Sequence, residues 1–214
     1  MFDTSLRRAL DAPLRAAALA LDRAWITPDR LTIAGLVLGL GSAATAASQL
    51  WWVSLALWLV SRVFDGLDGS LARLRRERAD AAGSETAGHS EAGGFLDIVA
   101  DFTVYGFTVF GVGVGATAGF DAPWWPFVLV LVVYYLNGGA FLAFSSIAER
   151  TNRRIDDGRS LSFLGRIAEG TETIIVHSLW LIFPFVAWQI AVVWALFVGI
   201  SAVQRMVIGY RALR

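Results

Sequence analysis

Apolar runs of about twenty residues alternate along this chain with short polar breaks, the spacing expected of helices that cross a hydrocarbon layer ~30 Å thick. Six runs stand out, at residues 27–48, 50–74, 93–118, 124–147, 169–183 and 187–213. Thr27 and Pro28 read as the N-cap and first helical residue of the first run. Gly35, Gly39 and Gly41 within it let a neighbouring helix approach closely, and Pro184 marks the turn between the last two runs. Ahead of these, residues 1–26 are amphipathic. Pro13 fits the first turn of a helix that reaches Trp25 and places Leu14, Ala18, Leu21 and Trp25 on one face, away from Arg15, Asp22 and Arg23. Such a helix lies along a membrane surface, or docks as a solvated helix on the rest of the protein. Residues 75–92 are charged and then rich in Ala, Gly, Ser and Glu, the composition of a mobile loop.

Composition agrees with the pattern. Of 214 residues, 56% are hydrophobic and 17% charged, and the mean hydropathy is +0.58, too apolar for an ordinary soluble domain or a soluble nucleic-acid binder. The expected fold is an all-α integral membrane protein of about six transmembrane helices plus an N-terminal interfacial helix. Residues 1–26 are expected to form the surface helix and residues 27–214 one six-helix transmembrane domain. Cysteine is absent, so disulfides and thiolate ligands are excluded. Lysine is absent too, which removes Schiff-base chemistry, and the first 24 residues contain no uninterrupted apolar stretch of the signal-peptide kind.

The eighteen basic residues are all arginine and are clustered. They precede the first run, separate the second from the third and the fourth from the fifth, and end the sixth; the connections at 47–51, 119–123 and 184–188 contain none. Cytoplasmic loops are the arginine-rich ones, so both termini and the arginine-bearing connections are expected in the cytoplasm, as in a bacterial inner membrane. Trp51, Trp52, Trp124, Trp125 and Trp188 then fall at an outer aromatic belt.

Charged groups inside apolar helices cost roughly 2.5–3.5 kcal/mol each on insertion scales and require a partner or a task. Asp65 and Asp68 are three apart at the end of the second run, and Asp97 and Asp101 four apart at the start of the third. Each pair shares a helix face, and one loop joins the two helices, so the pairs can face each other. Four converging carboxylates repel unless a cation intervenes, and oxygen-only ligands suit Mg²⁺, Mn²⁺ or Ca²⁺. The bland alternative is that they are helix-end charges paired with Arg62, Arg73 and the arginines beyond. Gly66, Gly69 and Ala72 beside the first pair, and Gly93 and Gly94 before the second, leave room at the backbone. Arg73 adds a planar fork for phosphate oxygens. Together they read as a metal-assisted diphosphate site.

The stretch Asp65-Gly66-Leu67-Asp68-Gly69-Ser70-Leu71-Ala72-Arg73, followed by Gly93-Gly94-Phe95-Leu96-Asp97-Ile98-Val99-Ala100-Asp101, resembles the signature of the CDP-alcohol phosphatidyltransferases, D-x-x-D-G-x-x-A-R and then G-x-x-x-D-x-x-x-D. The stretch Thr27-Pro28-Asp29-Arg30-Leu31-Thr32 is similar to that family's lead into its first span. One departure is plain: residues 74–92 separate the two halves, where the family usually has about eight residues. A longer surface loop costs little.

The resemblance implies that an alcohol attacks a phosphorus of a CDP-linked donor such as CDP-diacylglycerol and that CMP leaves. It implies a magnesium or manganese site, of two ions, on Asp65, Asp68, Asp97 and Asp101, with Asp101 as general base assisted by Asp97. Cytidine diphosphate contacts are implied for Asp65, Gly69, Ala72, Arg73 and Gly93, and a homodimer for the assembly. The acceptor is an alcohol or polyol phosphate. Glu169, Glu172 and Arg205, with Arg153 and Arg154, are candidates for its pocket; Thr171, Thr173, Gln204, Arg159 and Arg166 lie nearby in sequence. His89 falls in the long loop and His177 is isolated in an apolar helix, so neither reads as a ligand. Two rivals use the same aspartates. A hydrolase would split the donor with water, and a cation transporter would spread its charges through the bilayer depth instead of at one level.

Overall fold

The computed structural model describes residues 2–83, 91–151 and 170–214. Among these, seven α-helices carry the regular structure: α1 Phe2–Leu21, α2 Pro28–Ala47, α3 Trp51–Ala81, α4 Glu91–Phe120, α5 Trp125–Arg150, α6 Gly170–Ile182 and α7 Ala187–Leu213, with a 3-10 turn at Pro184–Val186. The all-α membrane architecture read from the hydropathy pattern is present. By length and composition α2, α4, α5 and the run Pro184–Leu213 can cross a membrane. The other two expected spans do not meet that measure. The second half of α3 is crowded with charge, and the described part of α6 is 13 residues long.

Helix α2 lies against both α3 and α4, α5 pairs with α7, and α6 packs on α3. Glycine makes the α2–α4 contact possible. A Cβ on Gly111 or Gly115 would collide with the backbone carbonyls of Ala43 and Ala46, and one on Gly39 would fall 2.5 Å from Val104. The core between the helices is built from Trp58, Val104, Val109, Val112, Val130, Trp180, Leu181 and Val198. Exposed aromatic residues Trp52, Trp124 and Trp125 stand at the ends of the spans that carry no arginine.

The N-terminal helix departs from expectation in two ways. It runs through Pro13 instead of starting there; the ring sits on the exposed side, where the missing N–H and the clash one turn back are not compounded by packing. It also stops at Leu21, because the Arg23 N–H turns back to the Leu21 carbonyl and the Ile26 N–H to that of Arg23. Trp25 is therefore left out of the face and is exposed. Leu14, Ala17, Ala18 and Leu21 pack on Leu67, Leu71 and Leu74 of α3, so this face docks on the protein. The new turn feeds α2 through Thr27, whose hydroxyl accepts the Arg30 N–H at 3.3 Å, with Pro28 following.

Residues 75–81, expected in a mobile loop, continue α3 as helix. Tertiary contacts outweigh their loop-like composition. Arg75 Nε donates to Asp22 Oδ1 at 2.9 Å, its Nη2 donates to the carbonyls of Arg23 and Ile26, and Arg78 also pairs with Asp22. Arg15 pairs with Glu77 at 2.7 Å. The chain end of α1 is thereby bound to the last two turns of α3. Ala82 and Gly83 turn the chain after α3, residues 91–92 of the expected loop already open α4, and residues 84–90, with His89, lie outside the described residues.

Candidate active site

Asp65 and Asp68 sit midway along α3, and Asp97 and Asp101 in the first three turns of α4. The four differ in surroundings. Asp68 is buried and its Oδ2 accepts the Thr32 hydroxyl proton at 2.6 Å, so α2 fixes it from the side. Asp97 is exposed. Asp65 and Asp101 are about one-third exposed at the side chain and share one guanidinium: Arg62 Nη1 lies 2.7 Å from Asp101 Oδ1 and 3.7 Å from Asp65 Oδ1.

Carboxylates from the two helices thus meet at a single positive group. This is the pairing with Arg62 that the bland alternative named, while Arg73 turns away and donates to the Ser70 hydroxyl at 3.1 Å. Among the described residues no three His, Cys, Asp or Glu side chains converge to hold a metal ion as they stand. The donor set nevertheless suits one. It is all carboxylate oxygen, which matches a hard divalent cation, and one cation, Arg62, already touches acids from both helices.

The surroundings of Arg62 escaped the sequence reading. Its guanidinium carbon lies 5.1 Å from the ring centroids of both Trp58 and Tyr105, and its Nη2 donates to the Ser61 hydroxyl at 3.0 Å. That hydroxyl donates on to the Gly35 carbonyl at 2.7 Å. Behind the rings, His177 is wholly buried, 4.8 Å from Trp58 and 4.7 Å from Trp180 centroid to centroid, with Nε2 3.0 Å from the Tyr134 hydroxyl. It is a core residue and not a ligand. The i,i+3 spacing of Arg62 and Asp65 was the available signal; nothing local ties Thr32 to an acid 36 residues away.

Gly69 and Ala72 follow on the same helix beside Arg73, whose head is exposed. A Cβ on Gly69 would meet Arg73 Nη1 at 3.3 Å. Arg73, Ser70, Leu74 and Glu77 of α3 line a pocket closed on one side by Arg15 of α1. Gly93 is half-buried in the first turn of α4. Of the expected acceptor residues, Glu169, Arg153 and Arg154, with Arg159 and Arg166, lie outside the described residues. Glu172 opens α6 with Oε2 buried and, among the described residues, without a hydrogen-bond partner. Arg205 is buried on α7 and stands over the Phe141 ring of α5 at 5.6 Å.

A family model described as CDP-alcohol phosphatidyltransferase matches residues 25–201, a stretch that holds both aspartate pairs. The chain belongs to that family. Among curated relatives, inner membrane protein YnjF of Escherichia coli is 34% identical over 194 residues, covering 88% of this chain and 84% of that protein. The phosphatidylinositol phosphate synthase of Mycobacteroides abscessus is 43% identical over 60 residues, 27% of each chain. Two solved structures of the Mycobacterium tuberculosis phosphatidylinositol phosphate synthase share the fold. The complex with manganese and citrate superposes with a TM-score of 0.62 at 23% identity, over 94% of this chain and 88% of the other. The form with CDP-diacylglycerol bound gives 0.59 at 22% identity, over 94% and 91%. The family assignment makes the chain a membrane transferase and agrees with the resemblance carried by its aspartate motif.

Proposed function

We propose that this protein moves a phosphatidyl or similar substituted phosphoryl group from a CDP-linked donor such as CDP-diacylglycerol to an alcohol, releasing CMP, in phospholipid synthesis at the cytoplasmic face of a membrane. The observation that carries the reading is the meeting of the two motif halves, with Asp65 of α3 and Asp101 of α4 on one cation. The family model over residues 25–201 and the likeness to a synthase solved with CDP-diacylglycerol support it.

Asp65, Asp68, Asp97 and Asp101 would hold Mg²⁺ or Mn²⁺, in keeping with a family neighbour solved with manganese. When bound, such an ion neutralises charge that builds on the phosphate oxygens. The protein's own groups do the rest. Gly69 and Ala72 leave space for the nucleotide along α3, Gly93 does so in the first turn of α4, and Arg73 offers its fork to the diphosphate. Thr32 keeps Asp68 oriented. Asp101, with Oδ1 on Arg62 and a side chain about one-third exposed, takes the hydroxyl proton. As that proton leaves, the alcohol oxygen bonds to phosphorus, the bond to the bridging oxygen of the diphosphate breaks, and CMP departs with its electron pair. Glu172 and Arg205, with Glu169, Arg153 and Arg154, are the proposed acceptor contacts.

The test uses purified full-length protein in micelles with labelled CDP-diacylglycerol, Mg²⁺ or Mn²⁺, and a panel of alcohols and polyol phosphates. CMP should appear only when an acceptor is present, together with a new labelled lipid. CMP release in water alone would make the enzyme a hydrolase, and no release under any condition would end the reading.

A further inference from the structure

Most charged side chains near a nucleotide site are mobile and wet. Arg62 is neither: the residue is 8% exposed, packed against Trp58 and Tyr105, whose rings meet edge to face 5.8 Å apart and each lie 5.1 Å from its guanidinium carbon, and tied through Ser61 to the backbone of α2. The Trp58 ring is itself held, with Nε1 donating to Ser178 of α6 at 3.2 Å and His177 tilted against it at 4.8 Å. Moving this arginine aside when another cation arrives costs it both ring contacts and the Ser61 bond together. Its Nη1 nevertheless lies against the two acids that join α3 to α4.

We infer that Arg62 is a permanent counter-cation of the aspartate site, which holds Asp65 and Asp101 together when no divalent ion is bound and keeps the ion's affinity moderate when it is. The inference rests on the proposed ion-binding role of these aspartates and adds a positioning residue to it. Two effects follow from one fixed charge. Without it, the acids of the two helices repel across the interface. With it, any divalent ion on the same carboxylates feels a like charge nearby, and the attraction the ion gains is reduced.

The experiment is manganese binding, followed by electron paramagnetic resonance on full-length protein in micelles, with thermal midpoints in EDTA and in Mn²⁺. Arg62→Gln should bind Mn²⁺ about tenfold more tightly than wild type. Its midpoint should drop in EDTA and recover with Mn²⁺, whereas wild type should be nearly indifferent. Arg62→Lys gives up the planar ring contacts and keeps the charge, so it should stay within about threefold of wild type in affinity. Wild type that binds Mn²⁺ together with Arg62→Gln of equal or weaker affinity would overturn the counter-cation alone. Wild type that binds no Mn²⁺ would overturn the ion-binding reading and this inference with it. Should Arg62→Gln be unrecoverable in either buffer, Arg62→Lys decides: retained affinity supports the role of charge, and a loss beyond threefold refutes it.

Discussion

Asp101 and Asp68 show how two acids of one motif come to differ. Asp101 has Oδ1 on Arg62 and a side chain about one-third exposed, an arrangement compatible with the proposed proton acceptor. Asp101→Asn preserves shape and loses basicity, so turnover should fall by about 10²–10⁴-fold while labelled donor still binds in an equilibrium assay; retained turnover would remove the base assignment. Asp68 is enclosed, and its Oδ2 accepts the Thr32 hydroxyl proton. Thr32→Val leaves a buried carboxylate oxygen without its donor, a loss of roughly 1–3 kcal/mol that should appear as a lower thermal midpoint together with lower activity. Both aspartates were legible in the sequence, because spacing of three and four on adjacent helices is a local signal. Thr32 was not, since its role depends on how α2 lies against α3.

At the level of elements, close helix approach and long-range clamps set the geometry. Gly111 meets the Ala43 carbonyl of α2, so Gly111→Val must push α4 away from α2, at about 1–3 kcal/mol by the usual cost of overpacking. The same displacement moves Asp97 and Asp101 relative to α3, so catalysis should suffer beyond the stability loss; a variant with lowered midpoint and intact activity would contradict this. Helix α3 makes the opposite point. Composition placed a loop at residues 75–81, yet Arg75 reaches the carbonyls of Arg23 and Ile26 and the carboxylate of Asp22. Arg75→Ala should therefore release the last turns, detected as severalfold faster trypsin cleavage after Arg76 and Arg78. Hydropathy reveals where a helix is apolar, but a polar extension is recognised only by its partner, here an N-terminal helix distant in sequence. The same reasoning explains why Pro13 misled: a proline on an exposed face can be carried by a helix already held on its other side.

For the molecule as a whole, the arginines point one way. Every arginine-free connection lies at the same set of span ends as Trp52, Trp124 and Trp125, so both termini should lie in the cytoplasm. A fluorescent protein fused after Arg214 should glow, while a periplasm-dependent phosphatase at the same point should stay silent; the reverse would invert the molecule. The region shared with the family begins at residue 25, four residues beyond the end of α1. Yet Arg15 closes the pocket beside Arg73, and Leu14 and Ala18 roof Leu71 and Leu74. A chain shortened to its signature would thus keep every motif residue and lose a wall of the pocket beside Arg73. Its outward apolar flank would be left bare at the water's edge, so the leading helix is better regarded as masonry than as a tether.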